Sequence, residues 1–107
     1  MAGVTISSVS TQNVLAAVRY FVQGQLANPT GFDVQMAFIS GWSKPAEDNW
    51  VDADWAWTTS EAGYYAAQCL VGPAGGQDLA VGTYTIWVMI TASPETVAAA
   101  AGTLTIT

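Results

Sequence analysis

The chain has 107 residues, which is enough for one domain and leaves no room for separate catalytic and binding domains. Only 9% of the residues are charged and the net charge is −6, so the field of the protein repels nucleic-acid phosphates and anionic lipid headgroups. Histidine is absent and Cys69 is the single cysteine, which excludes histidine-dependent triads, cysteine-rich zinc sites and an internal disulfide.

The composition predicts an all-β fold, because Val, Ile and Thr outnumber the strong helix formers Leu, Met, Glu, Lys and Arg about two to one. The first predicted strand covers residues 14–22, where apolar side chains alternate with their neighbours. The alternating positions are Val14, Ala16, Val18, Tyr20 and Val22. A helix capped by Ser10 or Thr11 and ended by Gly24 is the competing interpretation. The enrichment in Val, Tyr and Phe favours the strand.

Three further strands are predicted in the middle of the chain. The first covers residues 32–38 and ends near Gly41, after which a polar loop runs to residue 49. The second places four apolar side chains on one face, namely Val51, Ala53, Trp55 and Trp57. The third covers residues 64–71 and is closed by the glycine-rich turn 72–76.

The last part of the chain predicts strands over residues 83–91 and 101–107. The intervening residues 92–100 contain Pro94 and a run of alanines, and they predict a loose crossing between strands. About seven short strands in one small domain indicate a sandwich or a barrel.

A leucine and a glycine precede the strand at 83–91 and a tyrosine lies at its start, and these residues are Leu79, Gly82 and Tyr84. This spacing resembles the tyrosine corner of immunoglobulin-like domains, in which the ring packs in the core and the hydroxyl bonds a backbone group upstream. We therefore predict an immunoglobulin-like antiparallel β-sandwich of about seven strands over residues 12–107. Residues 1–11 are predicted to form an N-terminal arm or an extra strand.

An inward-facing Tyr84 has a consequence for the rest of its strand. Because side chains alternate along a strand, Thr85, Trp87 and Met89 are then predicted to face outward. An exposed Trp and Met pair among threonines predicts a covering partner, which is either the loop 41–49 of the same chain or another subunit. Trp87 and Met89 are therefore candidate interface residues.

Aromatic residues are concentrated between positions 42 and 65, and Trp50, Trp55 and Trp57 are the candidates for contact with a ligand or another subunit. Trp rings pack in cores and subunit contacts, and they also stack on sugar rings. Packing and subunit contact is the favoured interpretation, since only five leucines are available to fill the interior. Carbohydrate binding remains the alternative.

The acidic residues Glu47, Asp48, Asp52 and Asp54 are the only concentration of oxygen ligands for a hard cation. Their spacing lacks the glycine bend of a calcium loop, and a solvated strand edge is the favoured interpretation. A carboxylate pair for glycoside hydrolysis is disfavoured because so small a domain offers little cleft. Cys69 lies in an apolar run and is predicted to be buried and inert. We expect no cofactor and no metal.

Several segments between residues 12 and 107 resemble small proteins encoded among the structural genes of tailed phages and prophages of actinobacteria. The residues that carry the resemblance are Asn28-Pro29-Thr30-Gly31, Val34-Gln35-Met36-Ala37-Phe38, Pro45 with Trp50, Ala53 and Trp55, Tyr64-Tyr65-Ala66-Ala67-Gln68-Cys69-Leu70-Val71-Gly72-Pro73, Gly82-Thr83-Tyr84-Thr85-Ile86-Trp87-Val88, Thr91-Ala92-Ser93-Pro94-Glu95 and Ala101-Gly102-Thr103-Leu104-Thr105-Ile106-Thr107. They are strand and turn residues and not catalytic residues. The chain departs from the pattern at residues 98–101, where alanines replace a more polar stretch, and in the extension 1–11.

The resemblance implies a non-enzymatic virion protein, made in the host cytoplasm, that acts as a capsid decoration or minor head protein. Its implied partners are the major capsid protein or neighbouring virion subunits. Two other functions stay open, namely a carbohydrate- or receptor-binding module on the head, tail or baseplate, and a head–tail or tail-tube component. The low charge is compatible with a surface hidden by neighbouring subunits, because interface cores are depleted in charge.

Overall fold

The computed structural model describes residues 2–56, 63–74, 76–92 and 95–107. The strands in these ranges are β1 (Ala2–Ile6), β2 (Gln12–Val18), β3 (Tyr20–Val22), β4 (Gln25–Ala27), β5 (Asp33–Ser40), β6 (Val51–Trp55), β7 (Tyr65–Val71), β8 (Gly82–Ala92) and β9 (Glu95–Ile106). A single 3₁₀ turn, Glu47–Asn49, is the only helical element of the described residues. No helix in these ranges is long and apolar enough to cross a membrane. The all-β prediction is confirmed.

Seven strands form one continuous sheet in the order β1-β9-β8-β5-β6-β7-β2, and β3 and β4 form a separate hairpin. β6 pairs with β5 through residues 51–53 and with β7 through residues 54–55, so it passes from one layer of the fold to the other. The result is the predicted sandwich-like arrangement. The sheet is mixed and not wholly antiparallel, because β1 runs parallel to β9 with Ala2 opposite Gly102 and Ile6 opposite Ile106.

The core lies between the layers and follows the alternation of the strands. The largest side chains that are fully removed from solvent are Val14, Met36, Val71, Ile86 and Leu104. Each comes from a different strand, so the core joins β2, β5, β7, β8 and β9. Burying such side chains contributes about 1.5–3 kcal/mol each to folding.

The segment 14–22 is extended, as predicted, and the competing helix is wrong. It is divided at Arg19 into β2, which pairs with β7, and β3, which pairs with β4. Tyr20 still reaches the core, but Val22 is exposed. The prediction that Val22 continues the buried face is wrong because β3 leaves the main sheet to form the hairpin.

The loose crossing predicted for residues 92–100 is also wrong. Residues 95–100 form the first half of β9 and pair antiparallel with β8 from Ala92 opposite Glu95 to Trp87 opposite Ala100. Alanine has a low intrinsic preference for strands, but a long neighbouring strand supplies backbone partners that override this preference. Small alanines also fit beside the large Trp87 and Met89 side chains.

The N-terminal residues form an extra strand of the chain's own sheet. β1 pairs with the second half of β9, and the turn after it is closed by a bond from the Ser8 N–H to the Thr107 carbonyl oxygen, at 2.9 Å. Gly72 packs against Ser10 and Thr11 so closely that a Cβ atom at this position would collide with both residues. The segment 7–11 is thereby held against the end of β7.

Candidate interaction surface

One half of β9 has a free edge. Among the residues that the structure describes, β1 pairs only with residues 102–106, while residues 95–100 are exposed and pair only with β8 on their other side. The boundary between the halves is a β-bulge, since Ile86 is opposite Gly102 and Trp87 is opposite Ala100, which leaves Ala101 without a direct opposite. A bulge bends its strand and interrupts pairing. The free edge therefore consists of Glu95–Ala100 and stops at Ala101.

The β3–β4 hairpin places apolar side chains close to this edge. Its two loop residues, Gln23 and Gly24, both have positive φ angles (51° and 80°), as a tight two-residue hairpin requires. Phe21 and Leu26 are directly opposite each other in the hairpin and so point to the same face. They are 54% and 55% exposed.

An apolar groove connects the hairpin with the β9 edge. Its volume is about 320 Å³, and it is lined mainly by Ala17, Val18, Tyr20, Phe21, Val88, Ile90, Val97 and Ala99–Ala101. Val88 and Ile90 are buried core residues, whereas Val97 is 44% exposed. The space between the two layers is therefore open to solvent along this side. We call the free edge of β9 together with Phe21, Leu26 and Val97 the edge surface.

Arg19 is the one basic residue that lines this groove. Its guanidinium lies over the Tyr64 ring, 4.3 Å from the ring centroid. Such a cation–π contact contributes about 0.5–1 kcal/mol at an exposed site. It holds the guanidinium at the rim of the groove.

Trp87 and Met89 are half-buried, so the prediction that they form an exposed pair is wrong. The neighbours opposite Trp87 are Ala37, which is fully buried, and Ala100. These small residues leave room for the large ring to lie against the sheet. The Trp87 Nε1 atom is buried and has no hydrogen-bond partner among the described residues.

Thr85 was also expected to be exposed, and it is buried. Its hydroxyl donates a hydrogen bond of 2.6 Å to the carbonyl oxygen of Gly41. Gly41 is the first residue of the loop after β5, so this bond joins the start of the loop to β8.

The other predicted aromatic candidates do not form an exposed row. Trp50 and Trp55 are half-buried, and Trp57 lies outside the described residues. The Trp55 Nε1 donates a hydrogen bond of 3.0 Å to the carbonyl oxygen of Phe32, which fixes the orientation of its ring. Of the tryptophans in the described ranges, Trp42 is the most exposed, at 74%, and it lies in the loop after β5.

Trp55 contributes to an open acidic cleft of about 530 Å³ at one end of β5 and β6. The cleft is lined by Phe32, Asp33, Val34, Gln35, Asp52, Ala53, Asp54, Trp55 and Thr91. The Gln35 Nε2 donates a hydrogen bond of 3.3 Å to Asp52. Glu47 and Asp48 are not part of the cleft but of the 3₁₀ turn. Among the residues the structure describes, no group of three or more acidic or thiol side chains is arranged to hold a metal ion.

The residues of the predicted tyrosine corner come together at the start of β8. The Tyr84 hydroxyl donates a hydrogen bond of 2.7 Å to the carbonyl oxygen of Ala80, four residues upstream. Leu79 packs against the core, and Gly82 has a φ angle of 152°, within the region that glycine adopts at low cost. This is the geometry expected for a tyrosine corner.

Cys69 is a free, buried thiol within β7. Burial raises the pKa of this thiol, and the negative charge of Asp54 raises it further. Since the thiolate is the reactive form, both effects favour an unreactive side chain.

The sequence pattern does not reveal the edge surface. It predicts a continuous strand at Phe21 and a loose crossing at Val97, and it gives no interpretation of Leu26. The available signal was the pair Gln23-Gly24 between two short apolar segments, which is compatible with a two-residue hairpin loop.

Comparison of the chain with protein-family models, with curated proteins and with solved structures finds no match. Function is therefore inferred from the geometry of the surface and from the residue pattern of the sequence.

Proposed function

We propose that this protein is a non-enzymatic structural subunit of a phage virion, with capsid decoration or a minor head position as its role. The observation that carries the proposal is the edge surface, where Phe21 and Val97 line an open apolar groove and Leu26 lies opposite Phe21 in the hairpin, each of the three being 44–55% exposed. Contiguous exposed apolar surface is typical of sites that bind another protein.

The charge distribution supports the same function. The chain carries few charges overall, and Glu95 and Arg19 are the charged residues that line the cavities beside the edge surface. The central part of a protein interface is depleted in charge and enriched in aromatic and apolar residues. A subunit held by many copies of such a contact needs only a modest affinity at each one.

The contact residues in this proposal differ from those suggested by the sequence. Trp87 is half-buried and its Nε1 atom is enclosed, so a charged residue at this position would disturb the sheet itself. Phe21 and Leu26 are exposed, and a change there tests binding with little effect on the core.

The test is incorporation of variants into particles, measured by quantitative mass spectrometry of purified virions. Phe21→Glu and Leu26→Glu are expected to fold, as judged by circular dichroism, and to lower incorporation at least about tenfold. Val81→Glu introduces the same charge at an exposed position outside the edge surface and should be incorporated normally. Absence of the wild-type chain from particles overturns the proposal. A high number of copies per particle supports a position on the head. A number that would fill only a few rings supports a head–tail or tail-tube component.

A carbohydrate- or receptor-binding module is the second candidate, and the acidic cleft favours it. Trp55 offers an aromatic face beside the polar side chains of Asp33, Gln35 and Asp52, a combination suited to sugar hydroxyls. Host cell-wall glycans should then change the tryptophan fluorescence of the wild type but not of Asp33→Ala. An unchanged spectrum across a panel of such glycans removes this candidate.

A further inference from the structure

We infer that the edge surface binds a second copy of this chain, through antiparallel pairing of the free edges Glu95–Ala100 of two β9 strands. This inference deepens the proposed function, because it names the neighbour that the surface contacts.

The central part of the free edge, residues 96–100, lacks the features that normally prevent strands from pairing between molecules. Exposed edges are usually interrupted by lysine, proline, inward-pointing charges or bulges. Residues 96–100 contain none of the charged residues or prolines, and the bulge at Ala101 lies beyond them. The exposed backbone N–H and C=O groups of this segment are therefore open to a partner strand.

The side chains define one register that suits two copies. In a two-fold antiparallel pair centred on Ala98, Val97 is opposite Ala99 of the second copy and Thr96 is opposite Ala100. Side chains at opposite positions share a face, so Val97 and Ala99 of both copies lie on the groove side. Only small or β-branched residues meet at the centre of this pairing.

The pairing opposes no like charges. The antiparallel direction brings Glu95 of one copy to the Ala101 end of the free edge of the other copy, and residues 96–101 contain no acidic side chain. No pair of carboxylates is opposed in this register, although each chain has a net charge of −6. Like charges directly opposite each other would oppose pairing, and here they are avoided.

The apolar side chains supply area that a strand edge alone lacks. Stable interfaces cover about 800 Å² on each partner, and pairing through a few edge residues provides only part of this area. Because the two-fold axis is perpendicular to the sheet, the groove of one copy meets the groove of the other. Val97 and Phe21 lie along these grooves and become buried when the two copies associate.

The test measures association of the full chain by sedimentation velocity across a dilution series. The wild type is expected to dimerise, while Ala98→Glu and Ala98→Lys should each weaken dimerisation at least about tenfold, because like charges then meet at the axis. An equimolar mixture of the two variants should associate again, since Glu and Lys are opposite each other only in the proposed register. Val81→Glu is the control with a matched charge change at an exposed position.

Disulfide crosslinking tests the same pairing without a charged residue at position 98, which could prevent folding. In a Cys69→Ala background, Ala98→Cys should form an intermolecular disulfide on mild oxidation, whereas Val81→Cys should not. A wild type that stays monomeric at every concentration overturns the inference, as does an Ala98→Cys variant that fails to crosslink.

The two proposals fail in different ways. A dimer in solution together with absence of the chain from virions contradicts the virion function and leaves the pairing intact. Incorporation into virions without any crosslink at position 98, in solution or in particles, contradicts the pairing and leaves the virion function intact.

Discussion

The Tyr84 hydroxyl and the Ala80 carbonyl oxygen are joined by a hydrogen bond of 2.7 Å that closes the turn leading into β8. The bond fixes the chain at the point where it enters the strand that lies between β5 and β9. β8 supplies the buried Ile86, Val88 and Ile90, so the corner sets the position of a large part of the core.

Removing only the hydroxyl at this corner should lower stability without changing the fold. Tyr84→Phe is expected to reduce the free energy of unfolding by about 1 kcal/mol, the usual value for one intramolecular hydrogen bond. Urea unfolding measures the change, with Tyr65→Phe as a control for the loss of a hydroxyl elsewhere in the sheet. A Tyr84→Phe variant as stable as the wild type would show that the bond contributes nothing in solution.

Shortening a buried side chain of β9 tests whether the second half of this strand contributes to the core. Leu104 is fully buried, and Leu104→Ala should reduce the free energy of unfolding by about 2–5 kcal/mol through lost burial and a residual cavity. Leu70 is partly exposed on β7, so Leu70→Ala is a matched truncation with a smaller expected effect. Thermal unfolding followed by circular dichroism compares the two, and equal losses would contradict the described packing.

The parts of the fold that could be predicted from the sequence depend on local patterns. The alternation in 83–91 places Ile86, Val88 and Ile90 on the buried face, because the two-residue period acts within a single strand. The spacing of Leu79, Gly82 and Tyr84 is likewise local, and the expected hydroxyl contact is present. These signals do not require knowledge of which strands are neighbours.

The parts that escaped prediction depend on contacts between distant residues. β1 pairs with residues about a hundred positions away, and residues 95–100 are extended because β8 lies beside them. The half-burial of Trp87 follows from its small neighbours Ala37 and Ala100, which belong to two other strands. The exposure of Phe21 depends on the register of the hairpin, because a shift of one residue would turn its side chain to the opposite face.

The close approach of β7 to the segment after β1 makes Gly72 sensitive to substitution. Gly72 has a φ angle of 139°, and a Cβ atom there would collide with Ser10 and Thr11. Gly72→Ala should therefore cost more than about 1 kcal/mol in the free energy of unfolding, because backbone must move in addition to the strain at this φ.

Gly31→Ala is the matched control for this prediction, since the space around Gly31 is open and no heavy atom lies within 4 Å of an added Cβ. Its unfolding midpoint in urea should stay close to that of the wild type. If the two alanine variants have the same midpoint, segment 7–11 is not held against Gly72 in solution.

The pH dependence of stability should report the buried thiol of Cys69. Burial, with a smaller effect of Asp54, raises the pKa of this thiol above its ordinary value of 9.0 in the folded state. The unfolded chain then releases the proton first, so the stability that Cys69 contributes is complete below pH 9.0 and is lost as pH rises toward the folded pKa. Urea unfolding of the wild type and of Cys69→Ala measures this effect. The difference between their free energies of unfolding should be constant below this pH, and above it the wild type should lose stability relative to the variant. A difference that stays constant through the alkaline range would mean that the thiol has the same pKa in both states.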